Sequence, residues 1–237
     1  MNTGTLYLIP TPLGGDRLEA ILPADTLVLA RRLTYFIVEA PKTARAHLKL
    51  FGTAHELRSL SMQELNEHTK SDDLEGLLAP LFAGNDVGLM SEAGCPGVAD
   101  PGANLVRLAH ARGIRVAPLV GPSSILLALM ASGASGQQFR FNGYLPAQDP
   151  ARSEAIRRLE ADSHKLKQAE IFIETPYRNP ALFATLLASA RPSTLLTLAC
   201  DITLPSEFIR SQTIAQWKKT APPDINKRPT VFVLFAS

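Results

Sequence analysis

Four short, mostly apolar runs in the first half of the chain stop at Pro10, Glu39, Ser91 and Gly121. They lie at residues 6–9 (LYLI), 35–38 (YFIV), 87–90 (VGLM) and 114–120 (IRVAPLV). Helix-length amphipathic segments fill the gaps, at 23–33, 43–51, 72–82 and 104–111. Strands that are apolar nearly throughout, alternating with helices, specify parallel sheets covered on both faces, so the expected fold class is α/β. Gly52, Gly84 and Gly113 stand where helix-closing glycines belong, and Asp72 and Asp73 stand where acids favour a helix start. A short strand is expected at 56–60. A turn at 121–124 leads into a helix over 125–131, with Ser123 or Ser124 as its cap.

The second half alternates less regularly. Strands are expected at 139–141, 171–173, 195–199 and 230–235, and helices at 153–167 and 180–190. A boundary near 117–121 divides the 237 residues into an N-terminal α/β domain, 1–117, and a C-terminal α/β domain, 118–237. Apolar residues make up 46% and charged residues 19%, which suits two packed cores and argues against disorder. The longest uncharged stretch follows Val116, but Pro118, Gly121 and Pro122 interrupt it, so no membrane span is expected. No basic start leads into an apolar segment, so no signal peptide is expected either. With only Cys95 and Cys200 there is no disulfide framework, which points to a reducing, cytoplasmic setting. Residues 1–117 carry 11 Lys/Arg against 13 Asp/Glu, and residues 118–237 carry 13 against 9. That asymmetry permits an anionic substrate but is far from the clustered basic patch of a typical nucleic-acid binder.

Four constellations could carry chemistry. Residues 90–102 (MSEAGCPGVADPG) place three glycines, two prolines and two acids directly after a buried strand. Ligands of open α/β sheets bind beyond the carboxyl ends of strands, glycines there admit a ligand to the backbone, and a carboxylate can bind ribose hydroxyls or an ammonium. The turn 121–124 (GPSS) offers backbone N–H groups and hydroxyls to an adenine edge or a carboxylate. Glu39 and Lys42 follow a strand as a base or anchor and an anion partner, and Glu174 and Arg178 do the same in the second half. Each has a plainer reading: an irregular connection, a capped turn, a solvated strand end, a structural ion pair. A Walker phosphate loop, a G-x-G-x-x-G turn and a G-x-S-x-G elbow are all missing. His47, His55, His68, His110 and His164 show no metal-ligand spacing with each other or with the cysteines, so no metal is expected.

Taken in order, the motifs resemble the tetrapyrrole methylase superfamily, and within it the ribosomal RNA small-subunit methyltransferase I family. LYLIPTPLG (6–14) is similar to that family's opening strand and turn, and EAPKTARAHL (39–48) to its Glu-Asp-Thr-Arg segment. SEAGCPGVADPG (91–102) is similar to its S-D-A-G-T-P…S-D-P-G loop, and GPSS (121–124) to its G-P-S turn. FNGYLP (141–146) matches its F-x-G-F-L-P, and IFIETPYR (171–178) its F-Y-E-S-P-H-R. The resemblance implies two α/β domains with S-adenosylmethionine in the cleft between them, a homodimer, and methylation of a cytidine 2′-hydroxyl in 16S rRNA of the small ribosomal subunit. It implies cofactor contacts from Leu13, Glu92, Ala93, Gly94, Cys95, Val98, Ser123, Ser124, Glu174 and Ile202, many through backbone atoms.

The departures concern the substrate more than the cofactor. Gly15-Asp16 replaces an Asn-containing turn, Ala40-Pro41-Lys42 replaces Asp-Thr-Arg, Glu92 replaces Asp, and Tyr177 replaces a histidine. Where the RNA enzymes carry a basic run after Pro146, this chain reads AQDPAR (147–152), which should weaken generic RNA affinity. Methyl transfer is an in-line displacement in which positioning supplies much of the rate, and an alcohol acceptor needs a proton acceptor nearby. The expected groups are Glu39 or Glu92 as base or orienter, with Lys42 or Arg178 steadying a phosphate. Two alternatives stand beside RNA methylation: methylation of a tetrapyrrole or other small molecule, and a cofactor-binding module that has lost catalysis.

Overall fold

In the first half the alternation of sequence becomes a five-stranded sheet. The computed structural model describes residues 3–66, 68–70 and 73–236. It divides into two units, Met1–Ser123 and Ser124–Ser237. The first contains strands β1 (Thr5–Leu8), β2 (Tyr35–Val38), β3 (Ser61–Glu64), β4 (Val87–Met90) and β5 (Arg115–Pro118), in the order β3-β2-β4-β1-β5. Every pairing in it is parallel. Helices α1 (Ala24–Arg32), α2 (Pro41–Phe51), α3 (Leu74–Leu77), α4 (Ala79–Phe82) and α5 (Ala103–Ala111) connect the strands.

Strand side chains alternate faces, so one apolar run feeds two cores. Phe36, Val38 and Met90 join Leu27, Leu48 and Phe51 in one cluster. Ile37 and Leu89 join Leu6, Leu78, Leu81 and Leu105 in the other. This two-sided burial is why β1, β2 and β4 read as unbroken apolar segments.

The second unit contains β6 (Phe139–Tyr144), β7 (Ala169–Ile173), β8 (Leu195–Cys200), β9 (Phe208–Thr213) and β10 (Thr230–Phe235), in the order β6-β7-β10-β8-β9. Its helices are α6 (Ser124–Ser132), α7 (Ala151–Leu166), α8 (Asn179–Ser189) and α9 (Ile214–Trp217). The expectation of parallel sheets fails here. Only β6 and β7 are parallel, while β10 runs antiparallel to β7 and β8, and β8 antiparallel to β9. The cause lies in β9, which returns from β8 without a helix between them and so can only pair antiparallel. Phe172 and Phe232 face each other across β7 and β10 with stacked rings 5.7 Å apart, at the centre of a core that includes Leu159, Leu182, Leu198 and Trp217.

Three further expectations are corrected. Residues 57–59 form a 3-10 turn (Leu57–Ser59), and the strand is β3 just beyond it. The helix expected over 72–82 is two short helices meeting at Leu78, because Pro80 has no N–H with which to continue the first; Asp72 lies outside the described residues. Helix α2 begins at Pro41 rather than Thr43, since proline is well suited to a first helical position, and so Lys42 lies in its first turn. Among the described residues no helix is long and apolar enough to cross a membrane.

Trp217 is 1% exposed, stands edge-on to Phe183 at 5.4 Å, and donates its indole N–H to the Leu196 carbonyl at 2.8 Å. Trp217→Ala is expected to lower stability by about 3–5 kcal/mol in chemical denaturation, because a large cavity and an unpaired carbonyl remain.

Candidate cofactor and active site

All strands of the first sheet point the same way, so the segments leaving β1, β2, β4 and β5 lie along one edge. Strands β1 and β4 are neighbours, yet β1 leads on to β2 beyond β4, and β4 leads on to β5 beyond β1. Connections that diverge from adjacent parallel strands open the crevice in which α/β sheets bind ligands.

Backbone pairing fixes the shape of this edge. The Thr11 N–H donates to the Gly94 carbonyl at 2.9 Å, and the Gly94 N–H to the Thr11 carbonyl at 3.1 Å. This ties the turn after β1 to the loop after β4. Gly94 has φ +79, and a Cβ built on it would lie 3.3 Å from Leu13 Cδ2 and 3.7 Å from the Pro122 carbonyl oxygen. The Cys95 thiol also points at the Pro122 carbonyl, at 3.3 Å. Leu13, Gly94, Cys95 and the turn before Ser123 therefore converge. Ala93 and Val98 are exposed on the same loop.

The loop after β2 joins them through its acid. The Glu39 carboxylate accepts the Glu92 N–H at 3.2 Å. Glu92 in turn accepts the Thr43 hydroxyl at 3.0 Å, and its carbonyl meets His47 Nε2 at 2.9 Å, so α2 holds it from below. Lys42, in the first turn of that helix, is exposed. Asp100, which sequence reasoning counted only as the loop's second acid, completes a carboxylate cluster. Burial, then the Glu39 charge and more weakly that of Glu92, push its pKa from the ordinary 3.8 up to about 6, with the nearby Ser91 hydroxyl opposing the shift. Ser91 Oγ is itself buried and makes no hydrogen bond of regular geometry. Burial, followed by the Asp100 charge, raises the Cys95 pKa, which keeps this thiol protonated and unsuited to nucleophilic work. Among the described residues no group of three or more His, Cys, Asp or Glu is placed to hold a metal ion.

The remaining candidates belong to the second unit. Ser124 opens α6. Glu174, 5% exposed at the end of β7, accepts Arg178 Nη2 at 2.8 Å, the Thr175 N–H at 2.7 Å and the Thr175 hydroxyl at 3.1 Å, all on Oε1. Its Oε2 is buried without a partner. Burial works against its charge, but Arg178 and Thr175 outweigh that and hold the carboxyl below its usual range. Ile202 is buried in a turn where Asp201 and Thr203 have φ of +49 and +74, strained values for residues with side chains. Arg228, which sequence reasoning missed, pins that turn by donating to Asp201 at 2.9 Å and to the Ser206 carbonyl at 2.6 Å.

A family model described as Tetrapyrrole (Corrin/Porphyrin) Methylases matches residues 5–217. The chain belongs to this family and is an S-adenosylmethionine-dependent methyltransferase. It is similar to proteins named ribosomal RNA small subunit methyltransferase I. The one from Escherichia coli O157:H7 is 31% identical over 233 residues, which span 98% of this chain and 77% of that protein. The one from Xylella fastidiosa is 32% identical, over 98% and 80%. The one from Micromonospora olivasterospora is 37% identical, over 89% and 64%. The fold is that of the methyltransferase CobJ, with a TM-score of 0.63 at 18% identity over 99% of this chain and all of that one. Uroporphyrin-III-C-methyltransferase from Thermus thermophilus shares it too, with a TM-score of 0.56 at 17% identity over 98% and 94%.

The raised pKa of Asp100 makes stability depend on pH. The folded protein keeps this proton to a higher pH than the unfolded chain does, so folding becomes less favourable as pH rises from about 4 to about 6. Asp100→Asn is expected to flatten this part of the Tm–pH profile and to raise Tm at pH 7. An unchanged profile would remove Asp100 from the electrostatic account of the loop.

Proposed function

We propose that this chain transfers a methyl group from S-adenosylmethionine to the RNA of the small ribosomal subunit, at a cytidine 2′-hydroxyl of 16S rRNA. The observation that carries the proposal is the identity of about 31% to proteins of that name across 98% of the chain, together with the tied loops at the edge of the first sheet. An rRNA substrate would place the reaction in the cytoplasm. A homodimer is part of the proposal, and Met130, 79% exposed on α6, is an apolar side chain that such a contact would cover.

The residues present fit the cofactor. Gly94 lets the loop pack closely on Leu13 and Pro122 and so sets the shape of the edge, the exposed Glu92 and the half-buried Asp100 offer acceptors to hydroxyls or an ammonium, and the buried, unpartnered Glu174 Oε2 awaits a donor. We assign cofactor contacts to Leu13, Glu92, Ala93, Gly94, Cys95, Val98, Ser123, Ser124, Glu174 and Ile202. S-Adenosylmethionine supplies a methyl group on a positively charged sulfur. Glu39 accepts the proton of the acceptor hydroxyl, with Glu92 orienting it through the backbone bond the two share. Lys42 and Arg178 steady an adjacent phosphate. A second reading, methylation of a small molecule such as a tetrapyrrole, is favoured by Arg152. This arginine of the segment after Pro146 is 7% exposed and turned inward onto the Pro146 and Ala147 carbonyls, away from any phosphate.

Calorimetry with S-adenosylmethionine should show binding. Primer extension on 16S rRNA should show a ribose-methylation stop that a deletion strain lacks; an unchanged stop would transfer the proposal to the small-molecule reading. Glu39→Gln should slow methyl transfer by roughly 10²–10⁴-fold while leaving cofactor affinity near wild type. Glu92→Gln should weaken both. Normal rates in both variants would exclude these roles.

A further inference from the structure

The parallel pair β6 and β7 ends in a patch whose two exposed tyrosines neither the fold nor the cofactor requires. Tyr144 closes β6, beside Ile173, the last residue of β7. Glu174 to Arg178 leave β7 at that same end. Tyr144 is 61% exposed and Tyr177 62%. The Arg178 guanidinium lies over the Tyr177 ring, 5.3 Å from its centre, and donates to the Tyr177 hydroxyl at 3.2 Å. Tyr144 also lies within electrostatic reach of Arg178. Arg178 is already anchored by Glu174, so neither tyrosine is needed to hold it, and its Nε remains buried without a partner. Lys227 is exposed next to this group, its N–H donating to the Pro176 carbonyl at 3.0 Å.

The backbone turns Tyr144 out on purpose. Register between β6 and β7 slips between Phe141 and Tyr144. Gly143 there has φ +64, and a Cβ on it would meet nothing within 4 Å, so the glycine serves conformation rather than space. Bulges of this kind re-aim the next side chain. An exposed aromatic ring against a fixed guanidinium, a second exposed ring at the end of the neighbouring strand and a lysine at the rim match the chemistry by which proteins hold an unpaired nucleotide.

We propose that Tyr144, Tyr177 and Arg178 form a stacking platform for an unpaired nucleotide of the RNA substrate, with Lys227 at a flanking phosphate. The proposal rests on the rRNA reading above. The test is methyl transfer to small ribosomal subunits from a strain lacking the modification. The paired variant Tyr144→Ala/Tyr177→Ala should raise KM for the subunits by roughly 5- to 150-fold, the stacking contribution of one base. Its calorimetric affinity for S-adenosylmethionine, which also reports folding, should match wild type. Tyr144→Phe/Tyr177→Phe should restore KM, because stacking needs the ring and not the hydroxyl. Wild-type protein that transfers no methyl to the subunits would refute the rRNA reading and the platform with it. Transfer by wild type with an unchanged KM in the alanine pair would refute the platform alone. So would an alanine pair whose mass by light scattering falls to that of a smaller assembly, since the patch would then be a contact between copies of this chain.

Discussion

Two backbone hydrogen bonds between Thr11 and Gly94 hold the working edge of the first unit together. They join segments more than 80 residues apart, and Thr11 is fully buried, so breaking them would strand polar groups at a cost of about 1–3 kcal/mol each. Their geometry sets demands on sequence that concern the main chain. Gly94 must take a left-handed conformation, and a Cβ on Gly121 would lie 2.2 Å from Pro10 Cβ. Side chains around them are freer. This explains how Cys95 and Glu92 can stand where the resembling family has threonine and aspartate without disturbing the loop.

The acids gathered at this edge impose a second constraint. Glu39, Glu92 and Asp100 come together on backbone placed by β2 and β4, and burial together with their repulsion holds a proton on Asp100 up to about pH 6. A cluster of that sign is costly in an apo protein and favourable beside a cation. S-Adenosylmethionine, which carries a positive sulfur and an ammonium, is a ligand of the right charge. The second unit works in the opposite way: Glu174 and Asp201 are each neutralised by an arginine, Arg178 and Arg228, and so fix turns rather than create a field.

Legibility in the sequence followed burial. Strands β1, β2 and β4 could be read because both faces are covered and the apolar run is continuous. Strands β3 (SMQE) and β9 (FIRSQT) could not, because each lies at a sheet edge and carries polar residues that blur the pattern. The short helix α9 went unread, although Thr213 and Gln216, at the spacing of a capping box whose bonds the structure contains, are its one local signal. At the site, the loops were legible as glycine and proline after strands. The contacts were not: Glu39 meets Glu92 only because β2 pairs with β4 in parallel, and Arg228 meets Asp201 only because β10 lies against β8. Such pairings are set by tertiary structure and leave no local signal.

Arg152 bears most directly on how such a protein would hold RNA. It is the cation of the segment after Pro146, and from the first turn of α7 it is committed to the Pro146 and Ala147 carbonyls that precede the helix. A guanidinium committed to backbone releases no counterions from a phosphate, so this segment adds nothing to the salt-dependent part of RNA affinity. On the rRNA reading, recognition must lean on contacts that salt screens less, of which base stacking on exposed aromatic rings is the chief kind. The exchange has a structural logic. Phosphate contacts bind any strand, whereas a single stacked base selects an unpaired nucleotide, and an enzyme modifying one ribose needs the second property more than the first.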